Sequence, residues 1–173
     1  RFWVNNPSES DLEKSLAAGA ISCTTNPAYC SKLLTSDTTY LHNVIDEVIR
    51  HETREIEDAA VRVYQRVTQR LIDRFRPLYD QSNGTCGFVT MQDDPRLDRD
   101  TQATMRSVHD NRRLGPNYMA KIPLIEGGLE AIEVTGTQRL NPDYVRSRLE
   151  IATGKPLNRE RLIEALQLLQ LDP

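Results

Sequence analysis

A chain of 173 residues with a formal net charge of −3 is long enough for one domain with a real core, and its mild acidity, without any basic run, gives nucleic-acid binding no electrostatic support. No apolar run approaches the length of a membrane span, and the first residues carry no secretory pattern. Cys23, Cys30 and Cys86 form no evenly paired framework and share no zinc spacing with His42, His51 or His109, so they read as reduced thiols of a cytosolic protein with no metal. A first residue Arg1 in place of methionine leads to the expectation that residues ahead of it were trimmed.

In chain order, Phe2-Trp3-Val4-Asn5 reads as a first strand. Ser8 or Ser10 can cap a first helix, with Asp11 or Glu13 three residues on, and Gly19 stops it. A second strand over 20–25 runs into Thr24-Thr25-Asn26-Pro27. Pro27 pushes Asn26 into an extended conformation at the strand's end, where an amide can both donate to and accept from a ligand hydroxyl. Taken alone, this run is a turn. Residues 39–75 read as one helix, with Ile56, Ala60, Val63, Val67, Leu71 and Phe75 as its apolar stripe. Glu55, Glu57, Arg62, Arg66 and Arg70 make its solvated face, Pro77 ends it, and 81–84 form a turn.

A third strand is expected over 87–92, ending at Gln92. Asp93 and Asp94 then open a loop, and strand alternation puts only Asp94 on the side of Gln92. Asp98 to about Arg113 reads as a helix with Met105 and Val108 facing inward. The fourth strand, 118–123, is an apolar run with Lys121 in its middle, followed by Glu126-Gly127-Gly128-Leu129 opening a helix. A lysine facing a sheet interior is costly as an ammonium, and desolvation frees its amine to attack a carbonyl. The alternative is a strand-end lysine that snorkels to water.

The Thr-Thr-Asn-Pro strand end, the 84–92 segment and the Lys121-Ile122-Pro123 strand, in this order, resemble the transaldolase family over residues 2–134. The resemblance implies an α/β fold, the eight-stranded (β/α)8 TIM barrel, of which about four strand–helix units are present, followed by a helical tail over 135–173. It also implies transfer of a dihydroxyacetone unit between sugar phosphates through a lysine Schiff base, in the pentose phosphate pathway, with no cofactor. Lys121 takes the nucleophile's position and Asn26 that of the substrate-binding asparagine. Thr24 and Thr25 help shape that strand end, Thr25 as a further substrate contact, although β-branched packing explains both. Asn5, with Asn6 beside it, stands where the family has a proton-transferring aspartate. Gln92 stands at the position of a glutamate that works through a water, as in the fructose-6-phosphate aldolase branch. Ile125 replaces a usual threonine.

An amide at position 5 cannot exchange the proton, which leaves two alternatives open. One is a fructose-6-phosphate aldolase-like enzyme. The other is a catalytically degenerate relative that binds a sugar phosphate or a protein. After Val134 only helices are expected, over 141–152 and 158–171, and no strand. The chain is therefore expected to be a fragment, joined across missing segments near 135–137, or shortened. Closure would need the rest of the barrel or a second copy of the chain. Arg146, Arg148, Arg159 and Arg161 read as surface charge.

Overall fold

A computed structural model describes residues 1–123. The elements are β1 (Phe2–Asn5), α1 (Glu9–Ala17), β2 (Ala20–Thr24), α2 (Ala28–Ser36), α3 (Thr38–His51), α4 (Ile56–Gln81), β3 (Val89–Gln92), α5 (Thr101–Asn111) and β4 (Tyr118–Lys121), with 3-10 turns at Pro95–Leu97 and Arg112–Leu114. The boundary at residue 134, the tail helices, Ile125 and the arginine cluster lie outside the described residues.

The four expected strands are present, and they form one parallel sheet in the order β1-β2-β3-β4. Each strand pairs with its neighbour in sequence, which is the winding of a barrel arc; an open doubly wound sheet would reverse its order. One cross-strand row is Val4, Cys23, Val89 and Tyr118. With Met91, it packs against Leu12 of α1, Leu33 of α2, Leu41 and Val48 of α3, and Val67, Leu71 and Phe75 of α4. The next row is Asn5, Thr24, Thr90 and Met119. It faces away from the helices, where Met119 is 37% exposed. Alternation thus separates a core face from a polar face.

Local chemistry fixes the ends. Ser8 caps α1: its hydroxyl accepts from Asp11 N, and the Asp11 carboxylate accepts from Ser8 N. Gly19, at φ +89°, turns the chain from α1 into β2. Asn117 is fully buried and donates through Nδ2 to the Ile72 carbonyl at 2.9 Å and the Gly87 carbonyl at 3.0 Å, tying β4 to α4 and to the loop before β3.

Several expectations about the helices are corrected. The single helix over 39–75 is two, broken at 52–55, where Glu52 and Thr53 both donate to the Val48 carbonyl and α4 turns back against α3. α2 lies ahead of them. Pro77 does not end α4, which continues to Gln81. Proline removes only one bond there, and buried Phe75 with half-buried Leu78 holds the backbone helical across it. Val63, Val67, Leu71 and Phe75 form the buried stripe, but Ile56 is 85% exposed because it starts the helix before the contact begins. α5 starts at Thr101, capped by Asp100, and Met105 points outward at 44% exposure; Ala103, Thr104 and Asn111 are buried instead. Arg70 is not a freely solvated charge: it stacks over Tyr40 and pairs with Glu9 and Asp37.

Gly87 is required by the packing. It sits at φ +80°, and a Cβ there would lie 2.3 Å from the Tyr79 backbone nitrogen and 2.7 Å from the Phe75 carbonyl oxygen. Gly87→Ala is expected to cost more than about 2 kcal/mol, because α4 would have to move off β3. Urea denaturation of the two proteins checks this, and equal midpoints would contradict it.

Candidate active site

Every strand ends on a polar residue. Asn5 closes β1, Thr24 closes β2, Gln92 closes β3 and Lys121 closes β4. The register pairs Asn5 with Thr24, Thr24 with Thr90, and Gln92 with Lys121. Thr90 Oγ1 donates to Thr24 Oγ1 at 2.8 Å, so these two side chains share a face. Two residues on from Thr90, Gln92 returns to it. Asn5, Thr24, Gln92 and Lys121 therefore line the face turned away from the helices, at the carboxyl ends of the strands, where barrel enzymes keep their sites.

Asn26 follows β2 by two residues. Thr25 N donates to the Thr90 carbonyl at 2.8 Å, which carries the β2–β3 ladder one residue past the strand. Asn26 then lies one strand from Gln92 and two from Lys121, about 10 Å by strand spacing. Side chains of this length bridge such a gap with a small ligand between them. Lys121 and Gln92 are half-buried and adjacent, and among the described residues Lys121 has no ion-pair partner.

Thr25 is not brought to this face. It is fully buried on the helix side, where its hydroxyl pairs with the Tyr64 hydroxyl at 2.9 Å and donates to the Thr90 carbonyl at 2.9 Å. Its hydroxyl is thus engaged in a structural contact on the side away from Lys121 and Gln92. It locks α4 to the end of β2. Burial drives the Tyr64 phenol well above its ordinary pKa, so this contact stays neutral.

Asp93 and Asp94 both follow β3 in the loop, as expected. Asp94 caps the first 3-10 turn, accepting from Arg96 N at 2.9 Å, and its carboxylate is gripped by the Arg96 guanidinium at 2.9 and 3.0 Å. Those hydrogen bonds hold its pKa below the usual carboxylate range. Asp93 turns back toward α5, where Asn111 Nδ2 donates to it at 2.8 Å. Burial raises the pKa of its carboxyl, and hydrogen bonds from Ser107 and Asn111 oppose that rise. Gln65 Nε2 in turn donates to Asn111 Oδ1 at 2.8 Å, so a buttress runs from α4 through α5 to the loop behind Gln92. Both carboxylates are thus held by neighbouring donors, Asp93 by Asn111 and Asp94 by Arg96.

Asn6, the neighbour of Asn5, is the residue that touches Asn26. It has φ +43°, one of two non-glycine residues with positive φ among those described. Its Nδ2 donates to Asn26 Oδ1 at 3.1 Å, and its Oδ1 accepts from Asn26 N at 3.2 Å. The sequence signal was an Asn-Pro step at the end of each of the first two strands, Asn6-Pro7 and Asn26-Pro27. Among the described residues no group of three His, Cys, Asp or Glu side chains is arranged to hold a metal ion, and no helix is long and apolar enough to cross a membrane.

A family model described as transaldolase/fructose-6-phosphate aldolase matches residues 2–138. The chain is 37% identical over 120 residues to transaldolase 1 of Streptomyces avermitilis, a match covering 67% of this chain and 31% of that protein. It is 34% identical over 147 residues to transaldolase 1 of Streptomyces coelicolor, covering 78% and 37%. Against a transaldolase of Neisseria meningitidis it is 27% identical over 150 residues, covering 77% and 39%. The chain thus matches about a third of the length of these curated relatives.

Proposed function

The chain belongs to the transaldolase/fructose-6-phosphate aldolase family, and on that premise we propose that it carries the Schiff-base chemistry of a transaldolase, moving a dihydroxyacetone unit between sugar phosphates of the pentose phosphate pathway in the cytoplasm. The observation that carries this reading is the pairing of Lys121 with Gln92 at adjacent strand ends, on the polar face that also bears Asn5.

In the proposed reaction, Lys121 Nζ adds to the ketose carbonyl, and the carbinolamine loses water to give a protonated imine. The bond between the third and fourth ketose carbons then breaks. Its electron pair passes into the iminium, and the proton of the fourth-carbon hydroxyl leaves, releasing an aldehyde. The resulting enamine attacks an acceptor aldehyde, and hydrolysis frees Lys121. Gln92, one strand away, holds a water for the proton steps through its amide. Asn26 anchors a substrate oxygen. The site uses no metal or organic cofactor.

Asn5 favours a second reading, a relative that forms the imine but turns over weakly, because an amide takes no part in proton transfer and Asp93 and Asp94 are engaged elsewhere. The test is borohydride reduction of the intact protein with fructose 6-phosphate, followed by peptide mass mapping. A reduced three- or six-carbon adduct on the peptide containing Lys121 is expected. An adduct on any other lysine, or none, would overturn the Schiff-base reading.

A further inference from the structure

We infer that Asn6 is a positioning residue that fixes the polarity of Asn26, so that Asn26 offers substrate only hydrogen-bond donors and the ligand group beside it must be an oxygen acting as acceptor. This rests on the function proposed above and names the chemistry of one of its contacts.

Backbone N–H groups are obligatory donors, and two of them settle which end of each amide is oxygen. Asn26 N donates to the Asn6 side chain at 3.2 Å, so that atom is Oδ1. Ala28 N donates to the Asn26 side chain at 3.1 Å, so that atom is also Oδ1. The remaining contact, at 3.1 Å, then runs from Asn6 Nδ2 to Asn26 Oδ1. Asn26 Oδ1 accepts two hydrogen bonds, which fills its capacity. Among the described residues Asn26 Nδ2 has no acceptor, so its N–H groups remain for a ligand. An amide at this strand end could have both donated and accepted; this pairing removes the acceptor.

Asn6 holds this arrangement from a constrained backbone. Its φ of +43° lies in the left-handed region that asparagine tolerates better than most residues, and its own N–H donates to the Thr24 carbonyl at 3.0 Å. The turn after β1 is thereby pinned to the end of β2, and the side chain reaches Asn26 across the gap.

Two variants separate polarity from simple bond count. Asn6→Gly keeps the positive φ and loses both side-chain bonds, but Ala28 N–H still holds Asn26 Oδ1 inward. Asn6→Asp keeps an acceptor for Asn26 N–H and sets a second oxygen against Asn26 Oδ1. Repulsion between these two oxygens opposes the single Ala28 N–H contact, and with a carboxylate to donate to, the Asn26 amide is expected to rotate and present its oxygen to the ligand. The concentration of fructose 6-phosphate that half-saturates borohydride trapping is expected to rise about tenfold in Asn6→Asp and less than about threefold in Asn6→Gly. Melting temperatures should rank the other way, with Asn6→Gly the less stable. If Asn6→Asp leaves half-saturation unchanged, or if half-saturation only follows the melting temperatures, the pair is structural and the inference fails. Side-chain amide exchange by NMR of the unliganded protein decides independently. Protected Asn6 Nδ2 protons beside freely exchanging Asn26 Nδ2 protons are expected, and the reverse would overturn the polarity. Should the unsubstituted protein trap nothing, the Schiff-base reading falls, while the exchange result still decides the inference.

Discussion

Lys121→Met is expected to reduce borohydride-trapped adduct to background while leaving the fold intact. The side chain closes β4 on the polar face, and a methionine of similar length fits beside Met119 without disturbing the core row of Val89, Met91 and Tyr118. The other lysines in the sequence are Lys14, Lys32 and Lys155. Lys32 is committed to Asp11 at 2.9 Å, and Lys14 lies on α1, which packs on the helix side. Neither stands on the polar face of the sheet. Lys121→Arg is expected to fail equally, because a guanidinium stays protonated and cannot form the imine. Circular dichroism and intact mass after reduction check both halves of the expectation. Trapping at the level of the unsubstituted protein by a folded Lys121→Met would move the nucleophile elsewhere.

The second large effect is a gain. Asn5→Asp is expected to raise the rate of carbon–carbon cleavage by about 10²–10⁴-fold, the usual contribution of a positioned general acid–base group. Imine formation should change little, since Lys121 lies three strands away. The substitution is nearly isosteric. Asn5 is exposed at the end of β1, and its side chain has no hydrogen-bond partner among the described residues, so nothing is left unpaired. Single-turnover measurements that separate trapping from aldehyde release would test it. A folded Asn5→Asp with normal trapping and no faster release would show that another group moves the proton, or that the chain is a binder.

Much of this architecture was legible because strands and reactive residues coincide. Each of the four strands is a short apolar run closed by a polar side chain, and that pattern marks both the sheet and its carboxyl ends. Alternation also separates Thr24 from Thr25, but sequence alone does not say which of two threonines faces the helices. That was decided by Tyr64, 39 positions further on. The break between α3 and α4 was hidden because Glu52 to Glu55 contains neither glycine nor proline. Pro77 misled for the opposite reason, since tertiary packing of Phe75 and Leu78 overrides a local breaker. The Asn6–Asn26 pair depends on a left-handed backbone at Asn6, which local pattern does not announce.

That pair also bears on how the site ages. Asparagine converts spontaneously to aspartate when the backbone nitrogen of the next residue attacks its side-chain carbonyl and closes a succinimide. Asn6 precedes Pro7 and Asn26 precedes Pro27, and a proline nitrogen has no hydrogen to lose in that step. Asn5 precedes Asn6, whose N–H is held by the Thr24 carbonyl at 3.0 Å, so its route is hindered as well. The three amides are therefore shielded from deamidation by the residue that follows each. An aspartate at position 5 is expected to form slowly with time in the folded protein, and faster once the fold opens and frees the Asn6 N–H.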